Sequence, residues 1–254
     1  MSERKIIVER PNKTIYLEDG RVYKVMGNEY PVSDVFNEAL NLAAVGETGL
    51  KVPRIVEVRQ IEGKWAIVWE YIEGTTLLDR MRNEPDRFDE FLERFVDIQL
   101  EMHKYNAPRL PVLIEKMHRK IRDGGLDATN RYELHTRLDS MPRHTKLCHG
   151  DFIPSNIVIT GNDEAYIIDW SHATQGNASA DAAQTWLMFN LYRDLFPENP
   201  DIPDRYLELF CAKSDTALQY VEKWIAIAAA SQLVKKKAEE RDFLLRQVNI
   251  VEYE

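Results

Sequence analysis

In the stretch LCHGDFIPSNIVITGNDEAYIIDW, residues 147–170, polar groups recur among apolar ones at fixed steps. His149, Gly150 and Asp151 stand together, Asn156 follows five residues after Asp151, and Asp169 closes an apolar run. Buried polar groups need partners, but two carboxylates and an amide displayed around one turn can share a task. Amide and carboxylate oxygens such as those of Asn156 and Asp169 suit a hard cation, which keeps some of its waters. A carboxylate such as Asp151 can take a proton from a hydroxyl. Phosphoryl transfer from a nucleotide has these needs, because the protein there positions groups and stabilises charge and does little covalent work.

Elements must hold those groups in place. Residues 156–160 and 165–169 are expected to pair as a hairpin closed by Gly161–Asp163, which sets Asn156 and Asp169 at the same open end. Gly150 gives the preceding loop freedom of backbone angle. His149 is placed to brace that loop by hydrogen bonding, and Asp151 is the better general base of the two. The five-residue step from Asp151 to Asn156 is that of the kinase catalytic loop, in which the Asp accepts the hydroxyl proton and the Asn binds metal; Asp169 takes the place of the metal-binding Asp. A metal hydrolase with His149 and Asp151 as ligands is disfavoured, since no second histidine lies at ligand spacing.

The rest of the chain supplies a plausible frame. Up to about residue 70 the pattern alternates as in a sheet: Ile6–Glu9, Thr14–Leu17 and Val22–Met26 read as strands, with a tight turn at Glu18–Gly20. A helix follows, with Ser33 as its cap and Val35, Phe36, Ala39, Leu40 and Ala43 at helical spacing. Ile55–Gln60 and Trp65–Tyr71 then form a second strand pair. Beyond Gly74 the character is helical almost throughout, interrupted by the 156–169 hairpin. Phe88–His103 carries an apolar stripe through Phe91, Leu92, Phe95, Ile98, Gln99 and Met102. Pro111 is expected to open the next helix and Gly124-Gly125 to close it, and Ala180–Phe196, Pro203–Cys211 and Thr216–Val234 are helical. The expected fold class is α+β and two-lobed: residues 1–72 form a small mixed β-sheet lobe with one helix, and residues 73–254 a large, mainly helical lobe. The cleft between two such lobes is a usual place for ligands.

At HGDFIPSNIVI followed by IIDW the chain resembles the aminoglycoside phosphotransferase and choline kinase-like family of small-molecule kinases, in which His-Gly-Asp replaces the His-Arg-Asp of protein kinases. SADAAQTW adds to the resemblance, which implies that Asp181 holds the active-site backbone. The resemblance implies a protein kinase-like fold, ATP and Mg²⁺ as cofactors, and a small-molecule acceptor. It also implies a strand lysine that binds the α/β-phosphates, here Lys24, paired with a helix glutamate, here Glu38, with Glu29 and Glu47 as alternatives. Backbone groups of the linker at Glu70, Tyr71 and Ile72 would hold adenine. The chain departs from the kinase pattern between its first two strands, where the phosphate-covering loop should lie: RPNKT contains no glycine.

Composition narrows the partners. The chain has 254 residues, 44% of them hydrophobic, and a formal net charge of −9, which argues against a nucleic-acid footprint and favours a basic or amine-bearing substrate. MSERKIIVER does not read as a signal peptide, and the apolar run Trp224–Ala230 is too short to span a bilayer, so a cytoplasmic protein without membrane partners is expected. Cys148 and Cys211 read as small buried hydrophobes. Asp194, Glu198, Glu208 and Asp215, beside Trp186, Tyr192 and Trp224, could serve a polyamine sugar or quaternary amine, although surface carboxylates and core aromatics are the commoner meaning of such a pattern. His103, His118, His135, His144 and His172 read as structural or surface residues, and Lys116–Arg122 and the 235–242 charge run as solvated helix faces. The main expectation is a kinase with Asp151 as base. A nucleotide-binding regulator without turnover is the alternative, and a protein Ser/Thr kinase is less favoured because no Ala-Pro-Glu segment follows IIDW.

Overall fold

The computed structural model describes residues 4–234 and 237–248. In chain order its elements are β1 (Lys5–Arg10), β2 (Lys13–Glu18), β3 (Arg21–Met26), α1 (Val32–Gly46), β4 (Ile55–Ile61), β5 (Lys64–Glu70), β6 (Thr75–Thr76), α2 (Leu77–Asn83), α3 (Phe88–Met102), α4 (Leu113–Asp123), α5 (Ala128–Ser140), β7 (Lys146–Cys148), β8 (Ile157–Ile159), β9 (Ala165–Ile167), β10 (Thr174–Gly176), α6 (Ala178–Leu191), α7 (Ile202–Ser214), α8 (Leu218–Gln232) and α9 (Ala238–Val248). The division expected at residues 72 and 73 follows sequence character. Contacts group the chain differently, with 1–79 and 155–172 in one compact unit and 80–154 and 173–254 in the other.

The first unit is built on a five-stranded sheet in the order β1-β2-β3-β5-β4. Asp19-Gly20 and Glu62-Gly63 close its β2–β3 and β4–β5 hairpins with both central residues at positive φ, the geometry that matches strand twist. β3 and β4, joined through α1, run the same way, but β5 lies between them, so every neighbouring pair is antiparallel. One sheet face packs Met26 and Ile67 against Val35 and Ala39 of α1. Another cluster joins Val68 to Tyr16 and Tyr23, whose rings stack at 4.9 Å.

The helix begins earlier than its expected cap. Pro31 holds the cap position, its carbonyl accepting from the Asp34 and Val35 N–H groups, and Ser33 lies within the first turn. The buried stripe is also turned relative to expectation: Glu38, Asn41 and Leu42 face inward, while Phe36 and Leu40 are exposed. Polar partners explain the rotation, since Glu38 meets Lys24 and Asn41 Nδ2 donates to the Trp170 carbonyl at 3.2 Å.

The same unit captures the hairpin. β6 pairs with β8 and β8 with β9, the Ile167 N–H donates to the Lys51 carbonyl, and Lys51 pairs with Glu164. Gly74 allows the approach, because a Cβ there would lie 2.4 Å from the Ile159 carbonyl oxygen.

The second unit is mainly helical. Phe95 on α3 sits amid the rings of Phe152, Phe189 and Tyr206 at 4.7, 5.5 and 5.7 Å. α4 starts at Leu113, two residues after Pro111, with Val112 at the cap, because the Pro111 carbonyl and Val112 are engaged by Gln175. Gly124 closes it as expected. Asp127 and Asn177 cap α5 and α6 through their side chains, and β7 pairs with β10. Two solvated faces turn out to be engaged. The Lys116 ammonium is pushed down to about 7 by burial, then by Lys120 and Arg119, and Arg241 donates to the Leu233 and Gly124 carbonyls. Residues 235 and 236 of that second charge run lie outside the described residues. No helix among the described residues is long and apolar enough to cross a membrane.

Candidate active site

In the first unit the site is built around Lys24. β3 carries it on the face that meets α1, opposite Ile67 of β5, so its ammonium is drawn under the helix and is only 4% exposed. There its Nζ donates to Glu38 Oε1 at 2.6 Å and to Asp169 Oδ1 at 3.3 Å. Burial would lower the Lys24 ammonium, but the charges of Asp169 and Glu38 outweigh it and hold the group above its ordinary value. Glu38 moves the opposite way to a simple ion-pair partner. Burial pushes its carboxyl up, and its Oε2 has no hydrogen-bond partner among the described residues. Two carboxylates face the one ammonium, which keeps Lys24 charged. Glu38 is therefore the helix partner; Glu29 and Glu47 are not hydrogen-bonded to Lys24.

The hairpin positions Asn156 and Asp169. Pairing of Ile157 with Ile167 and of Ile159 with Ala165 leaves Asn156 and residues 168–169 at the open end, where the Ile168 N–H donates to the Asn156 carbonyl at 2.9 Å. Asp169 then leaves the strand with φ of 62°, a left-handed conformation that Asp tolerates better than most residues. Its Oδ1 also accepts from Ser171 Oγ at 3.1 Å. Asn156 is buried, whereas the Asp169 side chain keeps 29% of its exposure. The expected hairpin geometry is thus realised.

The linker residues are partly spent on the fold. The Glu70 N–H donates to the Arg54 carbonyl and the Tyr71 N–H to the Gly20 carbonyl, leaving the Ile72 N–H without an acceptor among the described residues. The β1–β2 connection is a two-residue turn at Pro11-Asn12, with Arg10 opposite Lys13.

In the second unit the loop bearing Asp151 hangs from a buried carboxylate. Gly150, at φ of 79°, donates its N–H to Asp181 Oδ1 at 2.8 Å, and Asp181 Oδ2 pairs with His103 Nε2 at 3.0 Å. Asp181 is fully buried, which would raise its carboxyl, yet the hydrogen bond and charge of His103, together with the Gly150 N–H, hold it below the usual carboxylate range. His149 is also fully buried, and its Nδ1 accepts from the Asp151 N–H at 3.2 Å, which fits a bracing role. A third tie was not legible in the sequence. Tyr206 donates to Gln99 at 2.6 Å, Gln99 to Thr185 at 3.3 Å, and Thr185 to the Phe152 carbonyl at 3.1 Å.

Several expectations are corrected. His103 is not a bystander, since it is the partner of Asp181. His118 shares a short contact with His135 and pairs with Asp139. His103, Cys148 and Asp181 lie close enough to suggest a metal cluster, but burial raises the Cys148 thiol well above its ordinary value, and both Asp181 oxygens are already engaged. Cys211 is only partly buried. Asp194, Glu198, Glu208 and Asp215 are exposed, and Trp224 is a core residue. Sequence reasoning also passed over Lys13, which the sheet places on the Lys24 face.

An antiparallel sheet with one packed helix, a buried Lys–Glu pair reaching an Asp at a hairpin end, and a separately braced His-Gly-Asp loop define a protein kinase-like phosphotransferase. The model of the phosphotransferase enzyme family matches residues 12–212, and the chain belongs to that family. It is an enzyme of the small-molecule kinase class. Among solved structures, aminoglycoside phosphotransferase APH(4)-Ia is similar over 97% of this chain and 92% of its own, at 16% identity and a TM-score of 0.70. A choline/ethanolamine kinase family protein from Mesorhizobium loti covers 98% of this chain and 86% of its own, at 14% identity and a TM-score of 0.64. Aminoglycoside phosphotransferase APH(3'')-Id from Streptomyces rimosus covers 90% and 92%, at 16% identity and 0.63. A variant of APH(4)-Ia is known as a ternary complex with AMP-PNP and hygromycin B. No curated protein matches the sequence.

Proposed function

We propose that the chain transfers the terminal phosphoryl group of ATP, with Mg²⁺, to a hydroxyl of a small aminoglycoside-, choline- or sugar-like molecule. The observation that carries this reading is the reach of Lys24 to both Glu38 and Asp169 in a nearly dry setting. A lysine held so serves phosphate, because Glu38 fixes its position and its charge is maintained. The donor set fits the metal: Asn156 and Asp169 offer only oxygen to a hard cation, and Asp169 remains partly open to solvent. Bound Mg²⁺ would supply neutralisation of charge on the transferring phosphate.

The chain's own residues account for the remainder. Asp151 orients the acceptor hydroxyl and takes its proton; His149, Gly150 and Asp181 hold Asp151 in place. Adenine is held at the linker over Glu70, Tyr71 and Ile72, with the Ile72 N–H as the donor left for it. The net charge of −9 supports a cationic or amine-bearing acceptor. Intracellular action follows from the need for ATP.

Incubation with Mg-ATP and a panel of aminoglycosides, amino alcohols, choline-like amines and sugars tests the reading. Transfer to one of them should fall by about 10²–10⁴-fold in Asp151→Asn while Mg-nucleotide binding persists. Binding of nucleotide with no transfer to any acceptor would instead favour a regulator, a reading for which the glycine-free β1–β2 turn is the supporting observation.

A further inference from the structure

The two-residue turn at Pro11-Asn12 raises a question about the phosphates. Proline has no N–H, and the Gly27 N–H beside the turn is spent on the Asn12 carbonyl at 2.8 Å, so this corner offers few backbone donors to an anion. What it offers is a side chain. In the β2–β3 ladder Ile15 stands opposite Lys24 and Lys13 opposite Met26. Opposite residues of an antiparallel pair share a face, as do residues two apart on one strand. Lys13 therefore projects from the same face as Lys24 and is its diagonal neighbour, at a spacing that long side chains bridge.

Lys13 has no job within the fold. Its side chain is half-buried, yet its ammonium makes no hydrogen bond or ion pair among the described residues. Burial depresses the ammonium, the like charge of Lys24 adds to this, Asp169 opposes it, Arg10 depresses it again and Glu38 opposes it. Lys24 already engages both nearby carboxylates, Glu38 and Asp169, and Arg10 adds a further cation, so the Lys13 ammonium is left without a hydrogen-bonded counter-charge among the described residues. An anion of high charge placed beside it would supply one.

We propose that Lys13 is a second phosphate-binding residue, its ammonium contacting the polyphosphate of the nucleotide in place of the backbone amides that a glycine-rich loop would supply. This rests on the nucleotide-binding reading above and adds to it a residue and a mode of contact. Lys24 acts from inside the unit, fixed by Glu38. Lys13 acts from the turn side as a flexible point charge.

Titration calorimetry of the whole chain with Mg-AMP-PNP and with adenosine, for wild type, Lys13→Met, Lys13→Arg and Lys5→Met, tests it. Lys5 lies on the same sheet and is exposed, so its variant controls for net charge. Lys13→Met should weaken AMP-PNP binding at least about tenfold, which is about 1.4 kcal/mol, leave adenosine binding unchanged, and make the affinity less sensitive to salt. Lys13→Arg should stay within about threefold of wild type and Lys5→Met should match it. Equal AMP-PNP affinity in Lys13→Met and wild type would overturn the proposal, and so would parallel loss of AMP-PNP and adenosine. A wild type that binds no AMP-PNP would overturn the nucleotide-binding reading itself, and this inference with it.

Discussion

The Gly150 N–H lies 2.8 Å from Asp181 Oδ1, so the loop that presents Asp151 is suspended from a carboxylate shielded from water. Asp181 stays ionised there because His103 and the Gly150 N–H stabilise its charge more than burial penalises it. The linkage has a definite sign. A carboxyl held below its unfolded value near 3.9 adds stability that is complete above that value and is lost as pH falls through the lower folded value.

Acid unfolding should therefore show the pair. Wild-type stability should decline as pH drops below about 4, and Asp181→Asn should flatten that limb while lowering turnover. Chemical denaturation at a series of pH values from neutral to acidic reads the first effect. An unchanged acid limb in the variant would remove Asp181 from this account.

Lys24→Met should leave Glu38 and Asp169 facing each other without a cation. Breaking a buried pair costs about 3–5 kcal/mol, an upper bound here because Asp169 is partly exposed. The double variant Lys24→Met/Glu38→Leu should regain part of that stability and none of the activity, since an apolar pair satisfies the fold but not the phosphate. Melting curves and transfer rates on the same preparations separate the two.

Asp169 combines the proposed metal-ligand role with an unusual backbone. Asn accepts φ of 62° almost as readily as Asp, so Asp169→Asn should fold as wild type and lose metal-dependent nucleotide affinity by at least about tenfold. Asp169→Ala should lose a further increment of about 1 kcal/mol in stability. Nucleotide titrations with and without Mg²⁺, beside thermal melts, check both. Wild-type affinity in Asp169→Asn would show that the cation is held elsewhere.

Gly74→Ala should be destabilising although residue 74 is exposed at the surface. The new Cβ would lie 2.4 Å from the Ile159 carbonyl oxygen and 2.8 Å from Val158 Cγ1, prying β6 from β8 at a cost of about 1–3 kcal/mol. Differential scanning calorimetry reads the shift, and a melting temperature equal to that of wild type would show that the strand pair yields without loss.

Local rules carried the sequence reading furthest where chemistry and period agree. Asn156 and Asp169 could be set at one hairpin end because the turn residues and the strand alternation both point there, and Lys24 because the family resemblance implies a lysine on the third strand. Side chains that act through distant partners were harder to find. His103 stands at the C-cap of α3, 78 residues before Asp181, and no local pattern marks the pairing. Gln99 lay on the correct stripe of α3, but its place between Tyr206 and Thr185 depends on packing. The stripe of α1 was misjudged because apolar character favoured Phe36 and Leu40, whereas Glu38 and Asn41 turn inward to meet polar partners. Lys13 was hidden because the strand was expected to begin only at Thr14, whereas Lys13 is already the first residue of β2.

The capture of residues 155–172 by the first unit also bears on how the protein is made. A ribosome releases β1 to β5 early, but β8 and β9 emerge only after residues 80–154 have been added. At about 5–20 residues per second, the nascent sheet must wait several seconds for the strand that pairs with β6 and for the carboxylate that meets Lys24. Until then the Lys24–Glu38 pair stands without its third member, so the amino-terminal half is a poor candidate for expression as a separate fragment.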